Sequence, residues 1–183
     1  MTEETDRLYE RVLVLRSQTG DEAAFEELMG RYHRRLGYYL RRMLPQTVNA
    51  EDILQDVWFD VFRGIAKLSD CGAFAAWLYQ IARNRAYREL RKRPSPGSMI
   101  DISQIESVQD PGEFSPEDAE QVHWALDQLS PEHREVLVLR FIEDMTYEAI
   151  AAVTGFQIGT VKSRIHYAKH ELRRIMRTTG DDD

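Results

Sequence analysis

The chain has 183 residues, of which 43% are hydrophobic and 30% charged, enough for one compact domain or two small ones. No apolar run reaches membrane-spanning length, the polar and acidic start from Met1 to Glu10 is no secretory signal, and the single Cys71 excludes an internal disulfide or a cysteine-rich metal site. A cytoplasmic protein with a reduced thiol and no membrane insertion is expected. The formal net charge of −7 looks wrong for a nucleic-acid binder, but the charge is strongly segregated. Residues 83–93 hold six basic groups against Glu89 alone, residues 162–177 six against Glu171 alone, and residues 101–120 seven acids and no base. Compact basic blocks of this kind attract phosphates locally although the whole chain is acidic.

In chain order, Asp21 is placed to cap a helix running to Leu44. Phe25, Leu28, Tyr32, Leu36, Tyr39 and Met43 recur along it at three- and four-residue steps, and Pro45 ends it. Asn49 caps the next helix, with Asp52 near its positive dipole end and Ile53, Val57, Val61 and Ile65 as one stripe. Asp52, Asp56 and Asp60 recur beside Leu54, Trp58 and Phe59. Apolar residues on both sides of one helix fit a partner-protein surface or the core of a tight three-helix domain. A third helix is expected from about Ala73 to Arg91, with Phe74, Trp77, Leu78, Ile81 and Ala82 inward. Its end, RNRAYRELRKR, interleaves arginines with aromatic and polar groups just after Trp77 and Tyr79. Such a surface suits opened or single-stranded DNA, on which bases stack; the plainer reading is a basic surface helix over buried aromatics.

Residues 94–117 contain Pro94, Pro96, Pro111 and Pro116 and no helical period, as a flexible acidic linker would. Helices resume near Pro116 and Pro131, each proline fitting a first helical turn. The expected fold class is all-α, with two small helical domains joined by that linker. One domain covers residues 1–93, the second residues 118–178, and an acidic tail residues 179–183.

The second domain carries the sharpest local pattern. Thr146 caps a short helix, TYEAIAAV, and Gly155 stands where the chain must turn. A second helix follows from about Thr160 to Met176, with Val161, Ile165, Ala168 and Leu172 as its inward stripe. This is helix-turn-helix spacing, with the second helix available for a DNA major groove. Its outward face would be Lys162, Ser163, Arg164, His166, Tyr167, Lys169 and His170, and Arg173, Arg174 and Arg177 further on suit phosphates.

Three stretches in order, EDILQDVWFDVFR, FAAWLYQIARNRAYRELRKR and LSPEHREVLVLRFIEDMTYEAIAAVTGFQIGTVKSRIHYAKHELRR, resemble the successive regions of extracytoplasmic-function RNA polymerase sigma factors. The likeness covers about residues 20–176. It implies a sigma factor whose partners are core RNA polymerase, at its β′ clamp helices and β flap, promoter DNA, and an anti-sigma factor. By resemblance, Asp52, Leu54, Gln55, Asp56, Trp58 and Phe59 would dock on polymerase. Arg83, Asn84, Arg85, Tyr87, Arg88, Arg91 and Lys92 would read and melt the minus-10 element, with Asn84 near a flipped-out base. Thr160, Lys162, Ser163, Arg164, His166, Tyr167 and Lys169 would read the minus-35 duplex. The acidic linker resembles the segment that threads toward the polymerase active site. Two positions depart from the family pattern: Asp144 stands where a glycine is common, and Tyr167 where a basic residue is.

Other classes fare worse. His166 and His170 lie four apart but have no third ligand at helpful spacing, and Glu120-x-x-His123 occurs once where a di-iron bundle needs it twice. No glycine-rich phosphate loop or nucleophile elbow is present, so neither an enzyme nor a cofactor is expected. The stronger rival is a stand-alone helix-turn-helix regulator of duplex DNA, which would leave the Asp52–Phe59 and Arg83–Arg93 segments idle.

Overall fold

The computed structural model describes residues 3–92 and 119–180, which are mostly helical and, among the described residues, contain no strand. The expected linker over 94–117 and the end of the acidic tail lie outside them. Eight helices are described: α1 (Glu3–Gln18), α2 (Glu22–Met43), α3 (Ala50–Gly64), α4 (Phe74–Arg91), α5 (Ala119–Gln128), α6 (Pro131–Leu137), α7 (Tyr147–Thr154) and α8 (Ile158–Gly180).

The expected caps form. The Asp21 carboxylate accepts from the Ala24 N–H at 3.1 Å, Asn49 from Glu51 at 3.1 Å, and Thr146 from Ala149 at 3.2 Å. α2 buries Leu28, Tyr32, Leu36, Tyr39 and Met43, all five on the periodic stripe. It ends where Leu44 turns extended before Pro45. Trp77 packs across Gly64, where an added Cβ would lie 3.0 Å from its ring, so a side chain there would push α3 and α4 apart.

α1 has no counterpart in the sequence reading. Its apolar residues Leu8, Val12, Leu13, Val14 and Leu15 bunch rather than step, and only Leu13 and Val14 are buried while Leu8, Val12 and Leu15 stay exposed. Polar ties add to the packing of those two residues. Gln18 donates to the carbonyls of Ile65 and Leu68 at 2.9 and 2.7 Å, and Tyr32 donates to Glu10 at 2.6 Å.

The last turn of α6 widens into a π-helical turn over Val138–Ile142, closed by the Glu143 N–H on the Val138 carbonyl at 3.0 Å. Asp144 then adopts φ +52°, the left-handed region that favours glycine. The position where this chain departs from the family's glycine is therefore one with a physical demand for glycine.

The two halves are not separate bodies. α4 packs on α7 and α2 on α6, and the buried side chains of both halves form one continuous core.

Candidate nucleic-acid interface

α7, the turn and α8 form the helix-turn-helix. Gly155 takes φ +76° and returns its N–H to the Ala151 carbonyl at 2.8 Å. Two residues later the chain re-enters a helix, with the Val161 N–H on the Gln157 carbonyl at 3.0 Å. Val161, Ile165, Ala168 and Leu172 are buried, as their spacing implies. Lys162, Ser163, His166 and His170 are exposed, and Thr160, Tyr167 and Lys169 half-exposed. Lys162 lies over the Tyr147 ring at 5.8 Å and Lys169 over the Phe141 ring at 5.7 Å, so aromatic faces steady both cations.

Arg164 differs from the expectation of a freely exposed side chain. Its guanidinium stacks on Phe156 at 4.0 Å, and among the described residues no acceptor reaches its buried Nε and Nη1. The reason is rotational: Arg164 adjoins the buried Ile165, on the flank of α8 turned toward the helix-turn-helix loop.

α4 divides its basic residues between two environments. Asn84, Arg88, Arg91 and Lys92 are exposed, with Lys92 paired to Glu89 at 2.8 Å. Arg85 is held on α3 by Asp56 at 3.0 Å and Asp60 at 2.6 Å. Arg83 donates to Glu135 at 2.9 Å and lies over the rings of Tyr87, at 4.4 Å, and Phe156, at 5.9 Å. Tyr87 also donates to Glu135, at 3.0 Å. Tyr79 is fully buried and offers no stacking plane, a correction that follows from its place on the α4 face turned toward the C-terminal half.

On α3 the open alternative resolves by helical rotation. Leu54 and Trp58 share the inward face with Val57 and Val61 and belong to the core, at 1% and 5% exposure. Phe59, at 54% exposure, and Asp52, Gln55 and Asp56 form the outward face, so Leu54 and Trp58 leave the set of surface residues. Phe62 is exposed beside them, and Arg63 stacks on Phe59 at 4.4 Å.

Two residues that the sequence reading missed dominate the seam between the halves. Glu135, fully buried, accepts from Tyr39 at 2.8 Å as well as from Arg83 and Tyr87. Glu143, also buried, accepts from Arg35 at 2.9 Å and from the Tyr79 hydroxyl, while Arg35 further donates to the Glu143 carbonyl at 2.9 Å. Burial pushes the Glu135 carboxyl above the ordinary glutamate range, outweighing its three donors. Burial and the neighbouring carboxylates push the Tyr39, Tyr79 and Tyr87 hydroxyls up in turn, which keeps them neutral donors. The available signal was an acid set directly against the apolar run Val136–Leu139.

The chain matches the family model "Sigma-70 region 2" over residues 28–94 and "Sigma-70, region 4" over residues 125–174. It is 30% identical to the RNA polymerase sigma-H factor of Pseudomonas aeruginosa, with 96% of each chain covered. It is 29% identical to the ECF RNA polymerase sigma-E factor of Escherichia coli K12, covering 92% of this chain and 94% of the relative. The chain belongs to the extracytoplasmic-function sigma factors. Among solved structures, the sigma factor RpoE of Bartonella quintana, in complex with the anti-sigma factor NepR, is 28% identical with a TM-score of 0.63, covering 84% of this chain and 96% of that one. CnrH, in complex with the cytosolic domain of CnrY, shares the fold at 24% identity with a TM-score of 0.70, covering 92% and 97%.

This sigma factor thus has the all-α, two-domain fold expected from its sequence, and it directs promoter-specific transcription initiation with core RNA polymerase. A stand-alone regulator accounts for the region 4 match only. Among the described residues, no helix is long and apolar enough to cross a membrane.

Proposed function

We propose that this sigma factor grips its promoter at two points, through α8 on the minus-35 duplex and α4 on the opened minus-10 strand. The observation that carries this reading is the paired exposure of Lys162, Ser163 and His166 on α8 and of Asn84, Arg88 and Arg91 on α4. Thr160, Tyr167 and Lys169 extend the first surface, and Lys92 the second. Arg83, Arg85, Tyr87 and Arg164 complete the two sets once their present partners release them. A basic recognition helix suits base edges and flanking phosphates, and an exposed amide such as Asn84 suits the hydrogen-bonding edge of a flipped base.

The outward face of α3, with Asp52, Gln55, Asp56 and Phe59, docks on the β′ clamp helices, and the C-terminal domain meets the β flap. The domains run over residues 1–93 and 118–178, the stretch between them threading toward the active site. The protein works in the cytoplasm with no catalytic residue and no cofactor. An anti-sigma protein is a further partner, in line with the complex in which RpoE was solved.

Run-off transcription of genomic fragments by core polymerase tests this reading. Adding the chain should produce transcripts from a discrete set of start sites that share upstream elements. Uniform initiation, or none above core polymerase alone, overturns it.

A further inference from the structure

A third basic stretch belongs to neither DNA surface. Residues 31–44 carry Arg31, Arg34, Arg35, Arg41 and Arg42 and no acid. The last two line a cleft of about 870 Å³, bounded by the end of α2, the loop at 45–49, the first turn of α3, Asp127 of α5 and Arg134 of α6. That volume lies within the roughly 300–1,000 Å³ of sites that hold small molecules.

Three guanidiniums and two carboxylates line the cleft, and their charges do not cancel in place. Arg42 takes Asp127, with Nη1 at 3.0 and 2.9 Å from its two carboxylate oxygens. Arg134 hydrogen-bonds no carboxylate. It donates instead to the carbonyls of Leu126, Arg42, Asp127 and Leu129, at 2.8, 2.7, 2.9 and 3.1 Å. Since a guanidinium has five N–H donors, one on Nη1 is left over among the described residues. Arg41 is exposed, and among the described residues no ion pair or hydrogen bond takes it up. Glu51, the other acid, is itself exposed and pairs only loosely with His33, at 3.7 Å.

The same wall holds two unsatisfied buried atoms. Arg42 lies over the Tyr38 ring at 5.2 Å, and its Nε and the Tyr38 hydroxyl lie close together. Neither makes a hydrogen bond of ordinary geometry among the described residues. Buried donors without an acceptor are uncommon in folded proteins, and here they border a cleft already rich in unmatched positive charge.

We propose that this cleft binds a small phosphorylated ligand, a phosphoryl group on a compact, non-aromatic carrier, held by Arg41, Arg42 and Arg134. Guanidinium forks match the spacing of phosphate oxygens, and charge-assisted bonds of this kind are the strong ones. Asn49, Ala50 and Glu51 bring the positive end of α3 to the same cleft, which adds to its preference for an anion. The carrier follows from the remaining wall. The Tyr38 ring already has Arg42 on it and His123 tilted against it at 5.7 Å, so it offers no free plane for a nucleobase. Leu44, Pro45 and Val48 supply aliphatic surface instead. A strand of nucleic acid needs a groove that tracks many phosphates, whereas this cleft is a local concavity. The site is thus independent of both DNA surfaces.

The test is calorimetric titration of the full chain with inorganic pyrophosphate, glucose 6-phosphate and ATP, at an ionic strength held constant with sodium chloride. Pyrophosphate, glucose 6-phosphate or both should bind saturably at one equivalent, and which of them binds distinguishes an inorganic phosphate from a sugar phosphate. Arg41→Gln should weaken that binding at least tenfold and leave the melting temperature of the free protein unchanged, since its side chain has no partner to lose. Glu51→Gln, which removes a competing charge from an exposed position, should strengthen binding several-fold. Arg34→Gln, exposed on α2 outside the cleft, should change it less than twofold. The opposite signs at Arg41 and Glu51 separate a site from a loss of folding.

Four results would each overturn the proposal. They are no saturable binding of pyrophosphate or glucose 6-phosphate, equal losses in Arg41→Gln and Arg34→Gln, tighter binding of ATP than of either probe, and displacement of the bound probe by a single-stranded 25-mer. The second would mean diffuse attraction to a basic helix, the third an aromatic carrier, and the fourth a path for nucleic acid.

Discussion

The two basic blocks have the same charge balance and different surroundings. On α8, Lys162 and His166 project outward from a helix whose opposite face is core, and Lys162 lies over the neutral Tyr147 ring. On α4, Arg83 and Arg85 are each already bound, the first to Glu135 across the seam and the second to Asp56 and Asp60 of α3. Equal charge thus becomes unequal availability. Local charge density says where phosphates would be attracted, but the carboxylates brought near by folding decide which cations can answer.

The largest expected effect separates core from surface on α3. Trp58→Ala should destabilise the protein by about 3–5 kcal/mol in urea denaturation, since it empties a filled interior. Phe59→Ala, from an exposed position, should leave the midpoint nearly unchanged and weaken binding to core polymerase instead. Equal losses of stability in both would erase the division of that helix into two faces.

The seam predicts a pH signature. Because burial raises the Glu135 carboxyl in the folded state, the folded protein holds its proton to higher pH than the unfolded chain does. The stability contributed by this group is full below the ordinary glutamate range and declines as pH rises through the elevated folded value. Urea midpoints across that range should fall less steeply, or rise, in Glu135→Gln relative to the parent. Parallel profiles would mean that Glu135 titrates as an ordinary exposed glutamate.

A contrast within α4 sharpens the comparison further. Arg88→Ala should weaken polymerase-dependent promoter binding evenly across sequences and reduce the salt slope by about 1, as loss of one phosphate contact does. Arg85→Ala should show itself first in stability, because it strips the partner from Asp56 and Asp60. If both variants change only DNA binding, availability does not distinguish the two arginines.

The smallest effect lies at the π turn. Asp144→Gly should stabilise the protein by about 1 kcal/mol or less in thermal melts, relieving an L-residue of φ +52°. The ion pair it removes, to Arg140 at 3.6 Å, is long and almost fully exposed on the Asp144 side, so it contributes little. Destabilisation would show that the Asp144 side chain matters more than its backbone.

Much of this protein was written in local patterns. The caps at Asp21, Asn49 and Thr146, the stripe along α2, the turn at Gly155 and the inward series Val161, Ile165, Ala168, Leu172 each depend on residues within a few positions of one another. Sequence by itself determined these, because capping and helical periodicity are short-range physics. It did not reveal α1, whose clustered apolar residues carry no clean period and whose placement depends on Gln18 meeting carbonyls 47 and 50 residues away. Nor did it divide Leu54 and Trp58 from Phe59, or Tyr79 and Arg83 from Arg88. Those assignments depend on which neighbour each helix face meets. Only the tertiary structure decided that Glu135 and Glu143 would lie against Arg83 and Arg35, since an ion pair spanning 52 or 108 residues leaves no mark on the spacing of either partner.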